Sequence, residues 1–192
     1  SINTQCPGDT NGDGVPDVVV AGHPNVKCMH LAAGDGYITM ADGKPIYTFG
    51  FTDVTGKLPS EVMNAGLAAA NYPAPTIELN EGQEFYLSLT NVGMILRPDL
   101  FDGHSVHFHG FPQAASIFDG VPESSIAIAM GSTMTYYYSI VDGLAGTYMY
   151  HCHVEATEHI QMGMVGNLYI QPKQNQTGCP GGACPGRACA GS

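Results

Sequence analysis

The chain has no tryptophan, and only 12% of its 192 residues are charged. Lys and Arg number six against seventeen Asp and Glu, a formal net charge of −11. So few cations leave no basic surface to neutralise phosphates, which excludes nucleic acid and an anionic membrane face as expected partners. No apolar run approaches the roughly 18 residues that a bilayer span requires. Also missing are a phosphate-binding glycine loop, a Ser/His/Asp pattern readable as a nucleophilic triad, and any internal repeat. No leader is visible, but the sequence starts at Ser1 rather than Met, as expected once a leader has been removed. The length suits one domain with a full core, with or without appendages.

What is present is concentrated. Five of the eight histidines fall in two stretches, His104-Ser105-Val106-His107-Phe108-His109-Gly110 and His151-Cys152-His153, and a sixth, His159, follows the second together with Met164. A thiolate, imidazoles and a thioether are the ligand set of a blue, electron-transferring copper. Alternate residues of a strand share a face, so His107 and His109 point one way and His104 the other. Around Cys152, His151 and His153 point away from the sulfur. One face therefore collects His104 and Cys152, with His159 and Met164 arriving from the following loop. The other collects His107, His109, His151 and His153. Cys152 is bonded to both flanking histidines, which gives electrons a short covalent path between the groups. Met130, Met134, Met149 and Met162 read as core or loop residues rather than copper carriers.

The rest of the chain reads as short strands punctuated by Gly and Pro. Tyr37–Met40, Pro45–Phe51, Ser105–Phe111, Thr133–Val141 and Val165–Gln171 are β-rich. Thr76–Leu79 and Glu84–Leu89 alternate around Asn80-Glu81-Gly82-Gln83 and predict a hairpin. Ser60–Asn71 is Ala-rich and predicts a helix stopped before Pro73. Many short strands and almost no helix predict an all-β sandwich. Three regions are expected: an N-terminal segment 1–33, a β domain 34–172, and a Cys-, Gly- and Pro-rich tail 173–192 that its composition makes flexible.

In the first region Asp9, Asn11, Asp13 and Asp17 place oxygens at alternate positions, with Val15 offering its carbonyl. This resembles the calcium loop of EF-hands, dockerins and thrombospondin type 3 repeats, except that Val20 stands where an EF-hand has its bidentate glutamate. Calcium is the expected ligand. His23 and His30 flank Cys28 without a metal-site pattern. If Cys152 binds copper, five cysteines remain. Cys6 and Cys28 bracket the N-terminal segment and can form a disulfide. Cys179, Cys184 and Cys189 are open to pairing with another chain, staying free or binding metal. Clustered cysteines and a calcium loop favour a secreted, extracellular or periplasmic setting.

The His-x-x-His-x-His-Gly and His-Cys-His…His…Met blocks make the chain resemble a cupredoxin domain of the multicopper oxidases and copper nitrite reductases. Pro75-Thr76-Ile77-Glu78…Glu81-Gly82 is similar to the strand pattern before the first block, and the resemblance covers residues 36–172. The context Thr157-Glu158-His159 resembles the first domain of two-domain laccases, although the gap from Cys152 to His159 is longer than in most laccases. The resemblance implies a Greek-key cupredoxin sandwich. It implies type 1 copper on His104, Cys152, His159 and Met164, type 2 copper on His107, and type 3 copper on His109, His151 and His153. Nitrite reductases carry aspartate at the position matching His107, so histidine there favours the three-copper oxidase site. That site uses eight histidines from two pseudo-twofold-related domains, and this chain offers four. The expectation is a homo-oligomer built on a symmetric dimer, within a trimer or hexamer. The implied activity is laccase-like: a small-molecule or metal-ion donor is oxidised and dioxygen is reduced to water, with Cys152, His151 and His153 linking the centres. A nitrite reductase-like enzyme and a non-enzymatic blue-copper protein of an extracellular assembly are the alternatives.

Overall fold

The computed structural model describes residues 5–112 and 114–176. Among these, eight strands form two sheets: β1 (Val26–Thr39), β2 (Pro45–Asp53), β3 (Ala74–Asn80), β4 (Glu84–Gly93), β5 (His107–His109), β6 (Thr133–Ser139), β7 (Gly146–His151) and β8 (Val165–Gln171). Helices α1 (Pro59–Gly66), α2 (Ala156–Met162) and α3 (Lys173–Gln176) lie in the connections and after β8. One sheet runs β2-β1-β4-β6 and the other β3-β8-β7-β5. β1 lies parallel to β4 and β3 parallel to β8, while the other pairs are antiparallel. The chain changes sheet at every connection from β2 to β7, which is the Greek-key winding of an all-β sandwich.

Side-chain alternation builds the core. In β4, Phe85, Leu87 and Leu89 are fully buried, while Ser88 and Thr90 turn away from the core to pair their hydroxyls with Thr135 and Thr133. From the opposite sheet Phe108 stacks on Tyr138 at 4.2 Å between centroids, and Tyr150 tilts against Phe51. Each such side chain contributes roughly 1.5–3 kcal/mol through burial.

Several expectations need correction. The predicted hairpin does not form: β3 pairs with β8 and β4 with β1 and β6. The chain crosses between sheets at Glu81, whose buried carboxylate accepts the amides of Gly143, Ala145 and Lys173. An alternating pattern identifies a half-buried strand but says nothing of its partner. The boundary expected after residue 33 falls inside β1, because Val26–His30 already pair with Glu84–Ser88. Met29–Gly36 are all buried, since α1, through Val62 and Ala65, and Leu67 just after it cover part of the outer face. A strand buried on both faces shows no alternation to read. Helix α1 is shorter than the alanines suggested. It starts with Pro59, the Glu61 carboxylate accepts the Leu58 amide, and Ala68 takes a left-handed φ of 53° beyond its end.

The N-terminal loop is bonded to the sandwich. Cys6 and Cys28 form a disulfide, and the Gly56 amide donates to the Asp13 carbonyl at 2.8 Å. Cys179, Cys184 and Cys189 lie outside the described residues. No helix among those described is long and apolar enough to cross a membrane.

Candidate metal centre

Register places the histidines. β5 and β7 pair antiparallel with His107 opposite His151, Phe108 opposite Tyr150 and His109 opposite Met149. Phe108 and Tyr150 turn into the core, so His107, His109 and His151 share the other face. Their ligand nitrogens lie within 4.8 Å of one another. His153 joins them, its ring 5.1 Å from His107 and 5.7 Å from His151. Two rings are oriented by the main chain. His107 Nδ1 donates to the Asp119 carbonyl at 2.6 Å and His151 Nδ1 to the Cys152 carbonyl at 2.8 Å. In both rings Nε2 is thereby the unprotonated nitrogen, the one able to bind a metal. His151 Nε2 lies 3.2 Å from His109 Nδ1.

The second group is buried on the opposite side of the same peptide. His104, Cys152 and His159 are fully buried, and their ligand atoms lie within 4.8 Å of one another. The Cys152 Sγ is 3.8 Å from His104 Nδ1 and 3.2 Å from His159 Nδ1. A tetrahedral ion about 2.3 Å from sulfur and about 2.0 Å from nitrogen separates those atoms by about 3.5 Å, so the spacing fits one shared ion. His104 is held in a bridge with Ile128. His159 rides on α2, a helix where the sequence suggested a loop, and this turn of helix accommodates the seven-residue gap from Cys152. Met164 is fully buried, and its main chain bonds to both Cys152 and His159.

The chemistry of this group matches a soft cation. Burial pushes the Cys152 thiol up to about 11. Burial, together with His159, holds His104 down to about 3. Burial also lowers His159, against the pull of the Asp102, Glu155 and Glu158 carboxylates. The chain thus keeps the imidazoles neutral, and a thiolate here requires the charge of a bound metal. The fit to copper rests on this donor set of one sulfur and two imidazole nitrogens.

Ser105 ties the two groups together. Its amide faces the Cys152 sulfur at 3.5 Å, and its hydroxyl accepts the His153 amide at 3.2 Å. Neither Ser105 nor Asp119 stands out in the sequence, because a buried serine and a main-chain carbonyl carry no motif.

These observations agree with the comparisons to known proteins. A family model described as multicopper oxidase matches residues 54–175. The chain belongs to the multicopper oxidase family. Laccase abr2 of Aspergillus fumigatus is 36% identical over 107 residues, covering 55% of this chain and 16% of the relative. L-ascorbate oxidase of Cucumis sativus is 33% identical over 108 residues, covering 55% and 17%. The solved structure of the blue copper oxidase from Nitrosomonas europaea superposes with a TM-score of 0.57 at 31% identity, over 75% of this chain and 38% of that one. This multicopper oxidase chain therefore spans about a sixth of the length of the curated relatives it matches.

The other candidate residues behave differently. In the 9–17 loop, Asp9 accepts the amides of Gly12 and Gly14, Asn11 that of Asp13, and Asp13 that of Val15. Asp17 accepts both the amide and the hydroxyl of Thr10. These carboxylates are engaged by their own loop, and they are not among the residue groups whose ligand atoms converge. His23 pairs with Glu84 at 2.9 Å and His30 with the Thr90 hydroxyl at 2.8 Å, which gives both a structural role. One convergence the sequence did not suggest is Asp102 and Glu155 beside His159.

Proposed function

We propose that the chain is a laccase-like oxidase that couples oxidation of a reducing donor to reduction of dioxygen to water. One observation carries the reading: a single tripeptide, His151-Cys152-His153, gives its sulfur to one group and both flanking imidazoles to the other. His104, Cys152, His159 and Met164 are the residues that hold a type 1 copper. His107 is the type 2 ligand, and His109, His151 and His153 are type 3 ligands. Bound copper supplies the one-electron chemistry and the activation of dioxygen. The chain supplies a dry pocket for the donor-side metal, main-chain hydrogen bonds that aim the imidazoles, and the covalent path from Sγ through the Cys152 backbone.

Four imidazoles on the His107 face are half of the set the oxidase site uses. We therefore place a second copy of this chain across a twofold axis, with His107 of both copies on the axis. The Cys6–Cys28 disulfide supports an extracytoplasmic setting. Ligand spacing in the 9–17 loop supports calcium there, and calorimetry without heat at millimolar calcium would remove that role.

Copper per chain in fully loaded protein tests the reading. The dimeric oxidase requires about 2.5. About 2 indicates one shared ion per interface in the manner of nitrite reductase, and about 1 a simple electron carrier. Cys152→Ser abolishes the blue absorption and oxygen uptake; full uptake in that variant refutes the mechanism.

A further inference from the structure

The outer face of the β2-β1-β4-β6 sheet carries a cleft that the metal centre does not use. It has a volume of about 490 Å³ and lies between the N-terminal loop, α1 and strands β1, β4 and β6. Its floor is a patch of hydroxyls in cross-strand register. Ser88 faces Thr135 and Thr90 faces Thr133, with 2.9 and 2.6 Å between the oxygens. His30 stands on β1 beside Ser88 and is only 7% exposed. Its Nε2 lies 2.8 Å from the Thr90 hydroxyl, and its Nδ1 has no hydrogen-bond partner among the described residues. Burial lowers the pKa of this histidine, against the pull of the Asp53 and Asp9 carboxylates, so the ring is neutral. When Thr90 donates to Nε2, the proton sits on Nδ1 and leaves an unused donor on a residue that lines the cleft.

The roof is fixed over this floor. The Cys6–Cys28 bridge ties the start of the N-terminal loop to β1, and both cysteines line the cleft. A Cβ on Gly12 would lie 3.0 Å from Pro59 and one on Gly14 3.4 Å from His30, so the loop packs directly on α1 and β1. Pro59, Val62 and Met63 of α1 make one wall apolar. Among the described residues no lysine or arginine lines the cleft, so an anion finds no countercharge there. The one lining carboxylate, of Asp9, already accepts the amides of Gly12 and Gly14. The cleft therefore offers neutral groups that donate and accept on its floor and C–H groups on its wall.

We propose that this cleft binds a neutral sugar, either a free saccharide or the end of a glycan. A sugar ring carries hydroxyls around its rim and C–H groups on its faces. Each serine or threonine hydroxyl donates one hydrogen bond and accepts two, the same capacity as each sugar hydroxyl. Each cross-strand pair engages only one of its two hydroxyl protons, and acceptor lone pairs remain on both oxygens. The α1 wall takes the C–H face of the ring. The volume falls within the roughly 300–1,000 Å³ of small-ligand sites, and an apolar lining with a few placed polar groups is their usual composition. The cleft belongs to the sheet opposite the one that carries β5 and β7, so the proposal does not depend on the copper reading.

Glucose, galactose, mannose and N-acetylglucosamine are the probes, each titrated against the full chain and followed by saturation-transfer NMR of the sugar protons. At least one of them is expected to bind with a Kd below about 10 mM. Ser88→Ala/Thr135→Val removes both members of one hydroxyl pair, so neither is left without its partner and the fold is retained. The affinity of this variant is expected to fall about tenfold, as loss of the hydrogen bonds to the sugar requires. Thr133→Val, at an exposed position, tests the same floor where the double variant folds poorly. Retention of the native chain on cellulose, galactan, mannan or chitin, matched to the sugar that binds, assigns a glycan end. Binding of the sugar without such retention assigns a free saccharide. No saturation transfer to any of the sugars, or affinity unchanged in both variants, overturns the site.

Discussion

Ser105→Ala separates the two halves of the metal centre. The serine is fully buried, and its hydroxyl is the acceptor of the His153 amide at 3.2 Å. Alanine removes one oxygen and adds no volume, so the dominant cost is a buried amide left without a partner. That cost is about 1–3 kcal/mol. With a denaturant slope of roughly 2 kcal/mol per molar urea, the unfolding midpoint of the metal-free protein falls by about 0.5–1.5 M. The Ser105 amide stays in place 3.5 Å from the Cys152 sulfur, because it belongs to the main chain. The side chain is also a donor toward that sulfur, lowering the Cys152 pKa against the effect of burial. The copper-loaded variant is therefore expected to keep its blue band, shifted in energy because one donor to the sulfur is gone. The histidine face, with His153 loosened, is expected to bind copper at least tenfold more weakly. A urea midpoint within about 0.2 M of the native value, or loss of the blue band with the histidine-face copper retained, would refute the assignment of Ser105 as the tie.

Gly120 has φ of 77°, and a Cβ there would sit 2.0 Å from the Val106 carbonyl oxygen. Gly120→Ala must move the backbone beside Asp119, whose carbonyl orients His107, so thermal stability falls by several degrees and histidine-face copper falls with it. Glu81 is held below its ordinary value of 4.5, mainly by amides of Lys173 and Ala145. Its contribution is present above that value and lost as pH falls through the lower folded value. The difference in melting temperature between native protein and Glu81→Gln is therefore expected to be constant near neutral pH and to close in acid; a gap that widens in acid contradicts this. The Cys6–Cys28 bridge closes a 22-residue separation, so removing both cysteines costs about 3 kcal/mol in urea unfolding while the blue band persists.

The sites were more legible than the fold around them. The spacing of His104, His107 and His109, and the run His151-Cys152-His153, carry their geometry locally, because strand alternation alone sorts neighbours onto opposite faces. The pairing of β5 with β7 then brings the two blocks together in the register that alternation requires. What depends on non-local packing was not readable. The Thr76–Leu79 and Glu84–Leu89 strands separate into different sheets because Glu81 ties the turn to residues 143, 145 and 173. β1 hides its outer face under α1. Asp102 and Glu155 are distant in sequence and meet only because His159 returns on α2.

The main-chain partners of the histidines bear on how the chain carries two metal groups so close together. His107 is oriented by the carbonyl of Asp119, His151 by that of Cys152, and the His153 backbone by the hydroxyl of Ser105. The Asp119 carboxylate also stands 3.5 Å from His107 Nδ1, so one acid borders the histidine face. Three more carboxylates, of Asp102, Glu155 and Glu158, gather around His159 on the far side of the sulfur. Negative charge is thus concentrated at His159, while His151 and His153 are held by neutral main-chain and hydroxyl groups. The partly exposed imidazoles of His107 and His109 are then what a second copy of the chain covers. Carboxamides at Asp102 and Glu155 should leave that pairing intact, whereas Gly120→Ala, which disturbs His107, should weaken it. Sedimentation of the two copper-loaded variants at equal concentration distinguishes these outcomes. Equal weakening in both would mean that the acidic edge and the histidine face are not independent surfaces.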